Sequence, residues 1–441
     1  MLHAECEKRL KQSLVENLSH IKVDNDIYLN FNSTMGLLSA DEILPKTGKL
    51  RNRLQKYIGE TPIFDFVFEN LSRDLYENGT HNPDATGIPL QSIPKYGDLE
   101  VVASRLVDEF ESLPWSYIVS FELPSNLGKP IGNAINTYTL SPPLRIVTPN
   151  DTFGSTYPLH SGIKQRDDWL FGILGISSLG LNALLSYSQP RQWNRETTYI
   201  QIEMEGFIGR TFKTTPLNEV ISTIKSFIGL SLAKRLVKIK EGQVASSFAA
   251  QPKSHLIVHR KLGEEWHIWS THEFPSDLSA FLDKLEIDDL EGSVGVLSKW
   301  IQSRLPIIST AFLNPDKAER LLLASQWLLD GYVGSNELLS FVQTTVAMEI
   351  MLGGESKLDI IGIGELLRNR CAYLIGKSHS QRKEILKDFE NIYAVRSKIV
   401  HRGKSQLTTS ERFLFSKLQW MCMRVISEEL TLIGKDKENT T

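Results

Sequence analysis

The spacing of apolar residues changes near Gly292, and this change constrains the fold more than any other feature of the chain. Upstream, segments in which apolar and polar residues alternate predict β-strands between helical segments. Downstream the alternation stops, and apolar residues recur every three or four positions in six stretches, namely 294–304, 315–329, 337–352, 360–375, 380–401 and 408–432. The sequence therefore predicts an α+β multidomain protein, with a mixed α/β region at 1–290, an all-α helical bundle at 291–434 and a flexible polar tail at 435–441.

The upstream region carries separate helix and strand signals. Residues 1–110 have a mostly helical pattern, and a break near residue 110 leaves open whether the region is one unit or two subdomains. Thr215 and Pro216 provide a cap and an N-terminal proline for an amphipathic helix that is predicted to continue to residue 239. Two strand-like segments within 254–271 flank the turn sequence KLGE and predict a β-hairpin. Because this region precedes the bundle in the sequence, we expect it to sense a trigger or to regulate the bundle.

The charge of the chain is unevenly distributed. The 441 residues carry a formal net charge of −3 at pH 7, with 41% hydrophobic and 23% charged residues, as in globular proteins. Within 368–424, however, 13 lysines and arginines stand against 4 acids. This basic C-terminal segment is compatible with a polyanionic partner, which the whole-chain charge conceals.

Cysteine content and hydropathy indicate a reducing compartment. Only Cys6, Cys371 and Cys422 occur, without a CxxC pair, and the N-terminal helix pattern has no apolar signal core. Residues 169–187 contain no charge over 19 positions, close to the length of a membrane span. Because three glycines, three serines and an asparagine interrupt them, we expect a buried helix or helix-turn there and a cytoplasmic protein, with a membrane-acting effector as the less favoured alternative.

Two predicted bundle helices each carry one charge within an otherwise apolar face: Arg396 on 380–401 and Glu349 on 337–352. The apolar or uncharged members of the two faces are Leu386, Phe389, Tyr393 and Val400, and Leu338, Val342, Thr345 and Leu352. Burial of an unpaired charge is costly, so we expect the helices to pack with these two charges in contact. One interpretation is an internal ion pair that sets helix register; the other is a functional site around Arg396.

His401 stands five residues after Arg396, at the predicted end of the same helix. If Gly403 ends the helix in the left-handed conformation, His401 lies in the last turn, where the helix dipole favours imidazolium. Ser397 precedes His401 by four residues and shares its face. A histidine that exchanges protons with the 2′-hydroxyl and the 5′-oxygen, together with a cation beside the phosphorane, is suited to metal-independent RNA cleavage. Two copies across a symmetric dimer would supply a complete set.

Four segments in order, AERLLLASQWLLDG, FVQTTVAMEIML, LLRNRCAYLIG and YAVRSKIVHRG, resemble the Apea-like branch of the HEPN superfamily, whose signature is Arg, four to six residues, then His. The resemblance covers about 310–432. It implies a dimeric helical bundle that cleaves RNA without a metal, leaving 2′,3′-cyclic phosphate and 5′-hydroxyl ends. Such domains often act as toxin-like effectors in abortive infection, a form of bacterial anti-phage defence, and are held quiet by an attached sensor that responds to a phage-derived trigger.

The same resemblance implies roles for individual residues. Arg396 and His401 would be catalytic, Ser397 would occupy the polar position after the arginine, and Glu349 would steady Arg396. Two positions depart from the family pattern: Ser397 stands where Asn, Asp or His is common, and Arg402 separates His401 from Gly403. A catalytically inactive HEPN module that dimerises or binds a nucleotide and regulates a partner is the alternative.

Other candidate sites lie around the motif and in the predicted hairpin. Basic residues near the motif are expected to hold an RNA backbone, or else to form a solvated helix face; they are Lys398, Arg402, Lys404 and Arg412. Four histidines in or beside the hairpin (His255, His259, His267 and His272) lack a nearby cysteine, and we expect no metal and no cofactor. Trp193, Trp266 and Trp269 are interpreted as core or interface residues rather than base-stacking ones.

Overall fold

A computed structural model describes residues 2–79, 82, 84–159, 192–210, 214–240, 254–288, 294–353 and 363–438. The uncharged segment 169–187, interpreted above as a buried helix or helix-turn, lies outside these described residues. Within them, no helix combines the length and the apolar character that crossing a membrane requires.

Helices form most of the described chain. They are α1 (Ala4–His20), α2 (Phe31–Thr34), α3 (Leu38–Asp41), α4 (Lys49–Tyr57), α5 (Pro62–Asn78), α6 (Leu99–Glu111), α7 (Ser125–Ala134), α8 (Phe153–Thr156), α9 (Thr215–Ala233), α10 (Ser276–Leu282), α11 (Val294–Leu313), α12 (Pro315–Val333), α13 (Glu337–Leu352), α14 (Ile363–Ile375), α15 (His379–Arg402) and α16 (Thr409–Glu438). From α11 onward every described element is helical, so the chain is a mixed α/β protein with a helical C-terminal region.

The strands all precede the C-terminal helices. They are β1 (Lys22–Asp24), β2 (Tyr28–Leu29), β3 (Ile88–Pro89), β4 (Trp115–Glu122), β5 (Thr137–Ser141), β6 (Leu144–Val147), β7 (Tyr199–Gly206), β8 (Val237–Ile239), β9 (His255–Leu262), β10 (Glu265–Glu273) and β11 (Leu285–Ile287). Six of them form an antiparallel sheet in the order β10-β9-β4-β7-β6-β5. The predicted hairpin is present as β9 and β10, and Gly263 in its turn has a positive φ of 62°.

The central strand β4 faces a hydrophobic cluster on each side. Tyr117, Val119 and Phe121 point into the main core, whereas Ile118 points into a smaller cluster that contains Trp193 and Tyr157. This alternation follows from the two-residue period of a strand. Both faces of β4 are therefore buried, which explains why its sequence contains few polar residues.

The helix predicted to run to residue 239 is shorter than expected. The prediction is wrong beyond α9, which ends at Ala233. Arg235 then adopts a positive φ of 58°, and residues 237–239 form β8, which pairs with β11. The local amphipathic pattern does not predict where the helix ends, because β11, the strand that pairs with β8, lies almost fifty residues later in the sequence.

Packing is continuous across the predicted boundary at residue 291. Helix α9 contacts α12 so closely that a Cβ atom at Gly229 would overlap the carbonyl oxygen of Ser325. Lys225 of α9 also forms an ion pair with Asp330 of α12, with 2.6 Å between Nζ and Oδ2. In space, α9 therefore packs with the C-terminal helices although it precedes the boundary in sequence. At the other end, α16 continues through Glu438, into the segment predicted as a tail.

Candidate functional site

Helix α15 carries the Arg396 and His401 motif, and its two ends have clear local causes. Ser378 caps its N-terminus by accepting a hydrogen bond from the Gln381 backbone N–H at 3.2 Å. Gly403 ends it in the left-handed conformation, with φ 61° and ψ 42°. His401 consequently lies in the last helical turn, as the glycine predicts.

The buried face of α15 is rotated relative to the predicted one. Its fully buried residues are Ile385, Phe389, Ile392 and Val395. Val400, predicted to be in the apolar seam, is 48% exposed, so that expectation is wrong. Helix α15 packs against α13, α14 and α16 together. These three helices bury a wider arc of its surface than the one apolar face predicted for contact with a single helix. Arg396 lies at the margin of this arc and is partly buried.

Arg396 contacts Glu349, as predicted from the single charge on each of the two apolar helix faces. Nε of Arg396 lies 3.1 Å from Oε1 of Glu349, and Nη2 donates a long hydrogen bond of 3.5 Å to Oε2. Although Nε is close to the carboxylate, its N–H has no hydrogen-bond partner among the described residues, so the contact is mainly an ion pair. The two side chains are 27% and 30% exposed, so water partly screens the pair.

Tyr393 completes this contact, a role that the sequence does not predict. Its hydroxyl donates a hydrogen bond of 3.2 Å to Oε1 of Glu349, and its ring stacks on Phe389 with centroids 4.9 Å apart. Burial and then the Glu349 charge raise the pKa of Tyr393 well above its usual range, so the hydroxyl stays protonated and continues to donate. The sequence signal for this role is the position of Tyr393 one turn before Arg396 on the same predicted apolar face. Glu349 is thus held by two residues of α15.

His401 and its neighbours face solvent. His401, Ser397, Lys398 and Arg402 are all exposed, and in the described part of the chain none of them shows a hydrogen bond or ion pair through its side chain. Five helical positions place Arg396 and His401 about 140° apart around the helix axis. Within one chain, therefore, the guanidinium is engaged by Glu349 while the imidazole remains accessible.

The four predicted RNA-contacting cations fall into two groups. Lys398 and Arg402 belong to the exposed end of α15, whereas Lys404 lies 3.0 Å from the buried carboxylate of Glu411. Burial opposes ionisation of Glu411, but hydrogen bonds from the Thr408 backbone and from Lys404 outweigh it and lower the pKa of that carboxyl. The fold therefore neutralises part of the basic segment that the sequence places around the motif.

Arg412 is similarly engaged. Its Nε donates to both oxygens of Glu337, at 2.9 and 3.0 Å. Glu337 is 75 positions away in the sequence, on α13, and the local charge count does not include it. Lys398 and Arg402 are left as the predicted RNA contacts without an acidic partner in the described residues.

Two of the hairpin histidines, His259 and His272, have different hydrogen-bond partners. His259 is fully buried between the rings of Trp193 and Tyr157, and its Nε2 lies 3.0 Å from the Pro158 carbonyl oxygen. Nε2 of His272 instead contacts Ser270 Oγ at 2.9 Å. Across the described ranges, no three potential ligands are placed to hold a metal ion. Trp193 is a core residue, as interpreted from the sequence.

Comparison of this chain with protein-family models, with curated proteins and with solved structures finds no match in any of the three.

Proposed function

We propose that this protein is a metal-independent endoribonuclease of the HEPN type. It would cleave RNA at a site formed by two copies of α15, leaving 2′,3′-cyclic phosphate and 5′-hydroxyl ends. The observation that carries the proposal is the end of α15: an exposed histidine in the last turn, an exposed serine one turn earlier, and an arginine paired with Glu349, which also accepts a hydrogen bond from Tyr393.

Under this proposal each side chain has a defined task. One His401 accepts the proton of the attacking 2′-hydroxyl, and its counterpart in the second copy donates a proton to the departing 5′-oxygen. Arg396 stabilises the negative charge of the phosphorane, and Ser397 positions a phosphate oxygen. The pairing with Glu349 limits the rotamers of Arg396, which reduces the entropy lost when substrate binds.

Substrate binding would depend mainly on Lys398 and Arg402. Both are exposed and free of acidic partners in the described residues, so they can replace counterions along an RNA backbone. Lys404 and Arg412 already pair with Glu411 and Glu337 and would contribute less. We further propose a cytoplasmic effector in anti-phage defence, whose N-terminal region senses the trigger.

The test is incubation of the purified full chain with total RNA in the presence of a chelator, followed by mapping of the termini. His401→Ala should lower cleavage at least about a hundredfold, the usual contribution of a general acid or base. His379→Ala is its matched control, because His379 is exposed in the first turn of the same helix. Arg396→Ala is matched by Arg368→Ala, whose side chain is 29% exposed and also ion-paired. Equal cleavage by the His401 variant and the parent would refute the assignment.

The alternative function is a catalytically inactive HEPN module that dimerises or binds a nucleotide. The engagement of Arg396 by Glu349 favours it, because that contact is also what an arginine with a purely structural role would make. The two functions differ in their products: an inactive module yields no cyclic-phosphate ends from any RNA. They also differ in oligomeric state, since Arg396→Ala should dissociate or unfold a module in which the arginine is structural.

A further inference from the structure

Three arginines from distant segments surround one tryptophan on the helix-covered side of the six-stranded sheet. Their Cζ atoms lie 4.7 Å (Arg73, in α5), 5.3 Å (Arg210, after β7) and 5.2 Å (Arg260, in β9) from the ring centroid of Trp269. Every pair of these charges therefore lies within a distance comparable to the screening length, about 8–10 Å in physiological salt, so the charges repel. We define this group as the arginine cluster.

The sheet fixes the geometry of the arginine cluster. Arg260 pairs with Tyr117 across β9 and β4, and it also stacks on Trp115 with 3.3 Å between Cζ and the ring centroid. Trp269 lies at an irregularity in the β9–β10 register and donates its indole N–H to the Ile208 carbonyl oxygen at 2.7 Å. The arginines thus surround a ring that is anchored to the backbone, although each remains partly exposed.

Acidic side chains balance only part of this charge. Arg210 pairs with Glu77 at 2.6 Å, and its backbone N–H donates to the buried carboxylate of Glu69 at 2.9 Å. The side-chain hydrogen bond observed for Arg73 goes to the neutral amide oxygen of Asn70, at 3.0 Å. In the described residues Arg260 shows no carboxylate partner, and its Nε is buried without a hydrogen bond.

Two further acids lie near Arg73 but serve other cations. Asp74 accepts hydrogen bonds from Lys95, Tyr96 and Arg105, and Glu109 pairs with Arg105. Burial and then the charge of Arg210 lower the pKa of Arg73, against smaller opposing effects of Glu77, Glu109 and Asp74. The arginine cluster therefore has an excess of positive charge that a bound anion would relieve.

We propose that the arginine cluster is a binding site for the phosphate group of a small molecule. A cation–π contact uses the positive charge of a guanidinium and not its N–H donors, so donors of the groups around Trp269 remain available for oxygen atoms. Phosphate oxygens match these donors and can be held by two of them at once. Because guanidinium groups already lie over the rings of Trp115 and Trp269, the site recognises the phosphate rather than an aromatic base. The proposal is independent of RNA cleavage, since no residue of the cluster belongs to α15.

The test is isothermal titration of the full chain with inorganic pyrophosphate at low salt. The parent should bind, and Arg73→Gln should weaken binding about tenfold or more, the loss of one charge-assisted contact. Arg73→Lys keeps the charge but not the planar fork, so its affinity should fall between the two. Arg195→Ala is the matched control, because it removes an exposed arginine that pairs with Asp151 elsewhere on the surface.

Three results would overturn the proposal. They are no pyrophosphate binding by the parent, equal affinity of the parent and of a folded Arg73→Gln, and tighter binding of a short single-stranded RNA than of pyrophosphate at the same site. Thermal melting establishes that each variant is folded. If Arg73→Gln does not fold, the comparison of Arg73→Lys with the parent decides. Competition by ATP against pyrophosphate would identify a nucleotide as the source of the phosphate, whereas competition by inorganic phosphate alone would identify the free anion; both support the site.

Discussion

Replacement of Arg396 by alanine separates a catalytic from a structural role, because the structure sets how much stability the residue can contribute. Its ion pair with Glu349 is about three-tenths exposed on both sides. Fully exposed pairs contribute up to about 1 kcal/mol, and loss of one partner from a fully buried pair costs about 3–5 kcal/mol. In Arg396→Ala, Tyr393 still donates to Glu349, so the remaining carboxylate keeps one partner. We therefore expect a loss of about 1–2 kcal/mol in the free energy of unfolding.

The assay is a double-mutant cycle on the full chain, with urea unfolding followed by fluorescence. Arg396→Ala, Glu349→Ala and the double variant should give a coupling energy of about 1 kcal/mol. The pair Arg368 and Glu390 is the control: its arginine is similarly exposed at 29%, but its glutamate is 71% exposed, so its coupling should be smaller. Loss of more than about 4 kcal/mol, or failure to fold, would contradict this reasoning and assign Arg396 to the structure.

Three further predictions concern stability, each measured by urea unfolding of the full chain. Gly403→Ala should cost about 1 kcal/mol because φ is 61°, and Gly403→Asn should cost less; equal stability of all three would refute the left-handed ending. Gly229→Ala should cost about 1–3 kcal/mol because its Cβ would overlap the Ser325 carbonyl, whereas Gly364→Ala, with open space around it, should not destabilise; a neutral Gly229→Ala would refute the close contact. Burial, opposed in part by the Pro158 carbonyl, lowers the pKa of His259 from 6.5 to about 4, so the unfolded chain binds a proton that the folded chain does not between those values. Stability that is complete above pH 6.5 should fall by up to about 3 kcal/mol towards pH 4, and His259→Gln should lack this decrease; identical acid profiles would contradict it.

The sequence predicts the presence of the C-terminal helices because their signals are local, but the predicted end of the first one at residue 304 is wrong, since α11 continues to Leu313. Helices 315–329 and 380–401 were expected from apolar spacing and are observed as Pro315–Val333 and His379–Arg402. The end of α15 follows from a single glycine, and the contact between Arg396 and Glu349 follows from the cost of leaving either charge unpaired. Each of these inferences depends only on the sequence of one helix, or on two helices that each carry one charge on an apolar face.

Other features depend on partners that are far apart in the chain. Pairing of Lys404 with Glu411 and of Arg412 with Glu337 reduces a basic patch that a count along the sequence exaggerates. The exposure of Val400 depends on three neighbouring helices, which together move the buried arc of α15 away from the predicted stripe. The apolar face of α9 packs against α12 as well as against the mixed α/β region to which α9 belongs in the sequence.

By itself the sequence determined that the described chain after residue 292 is helical, where α15 stops, and that Arg396 requires an acidic partner. It did not determine where every helix ends, since α11 and α16 continue past their predicted ends to Leu313 and Glu438. Only the tertiary structure brought Arg73, Arg210 and Arg260 together around Trp269, across 187 sequence positions between the first and the third. The physical reason is the sequence distance over which the two kinds of interaction act. Helix periodicity and capping act between residues a few positions apart, whereas the register of β4, β7, β9 and β10 sets which distant side chains meet, and no local pattern encodes that register.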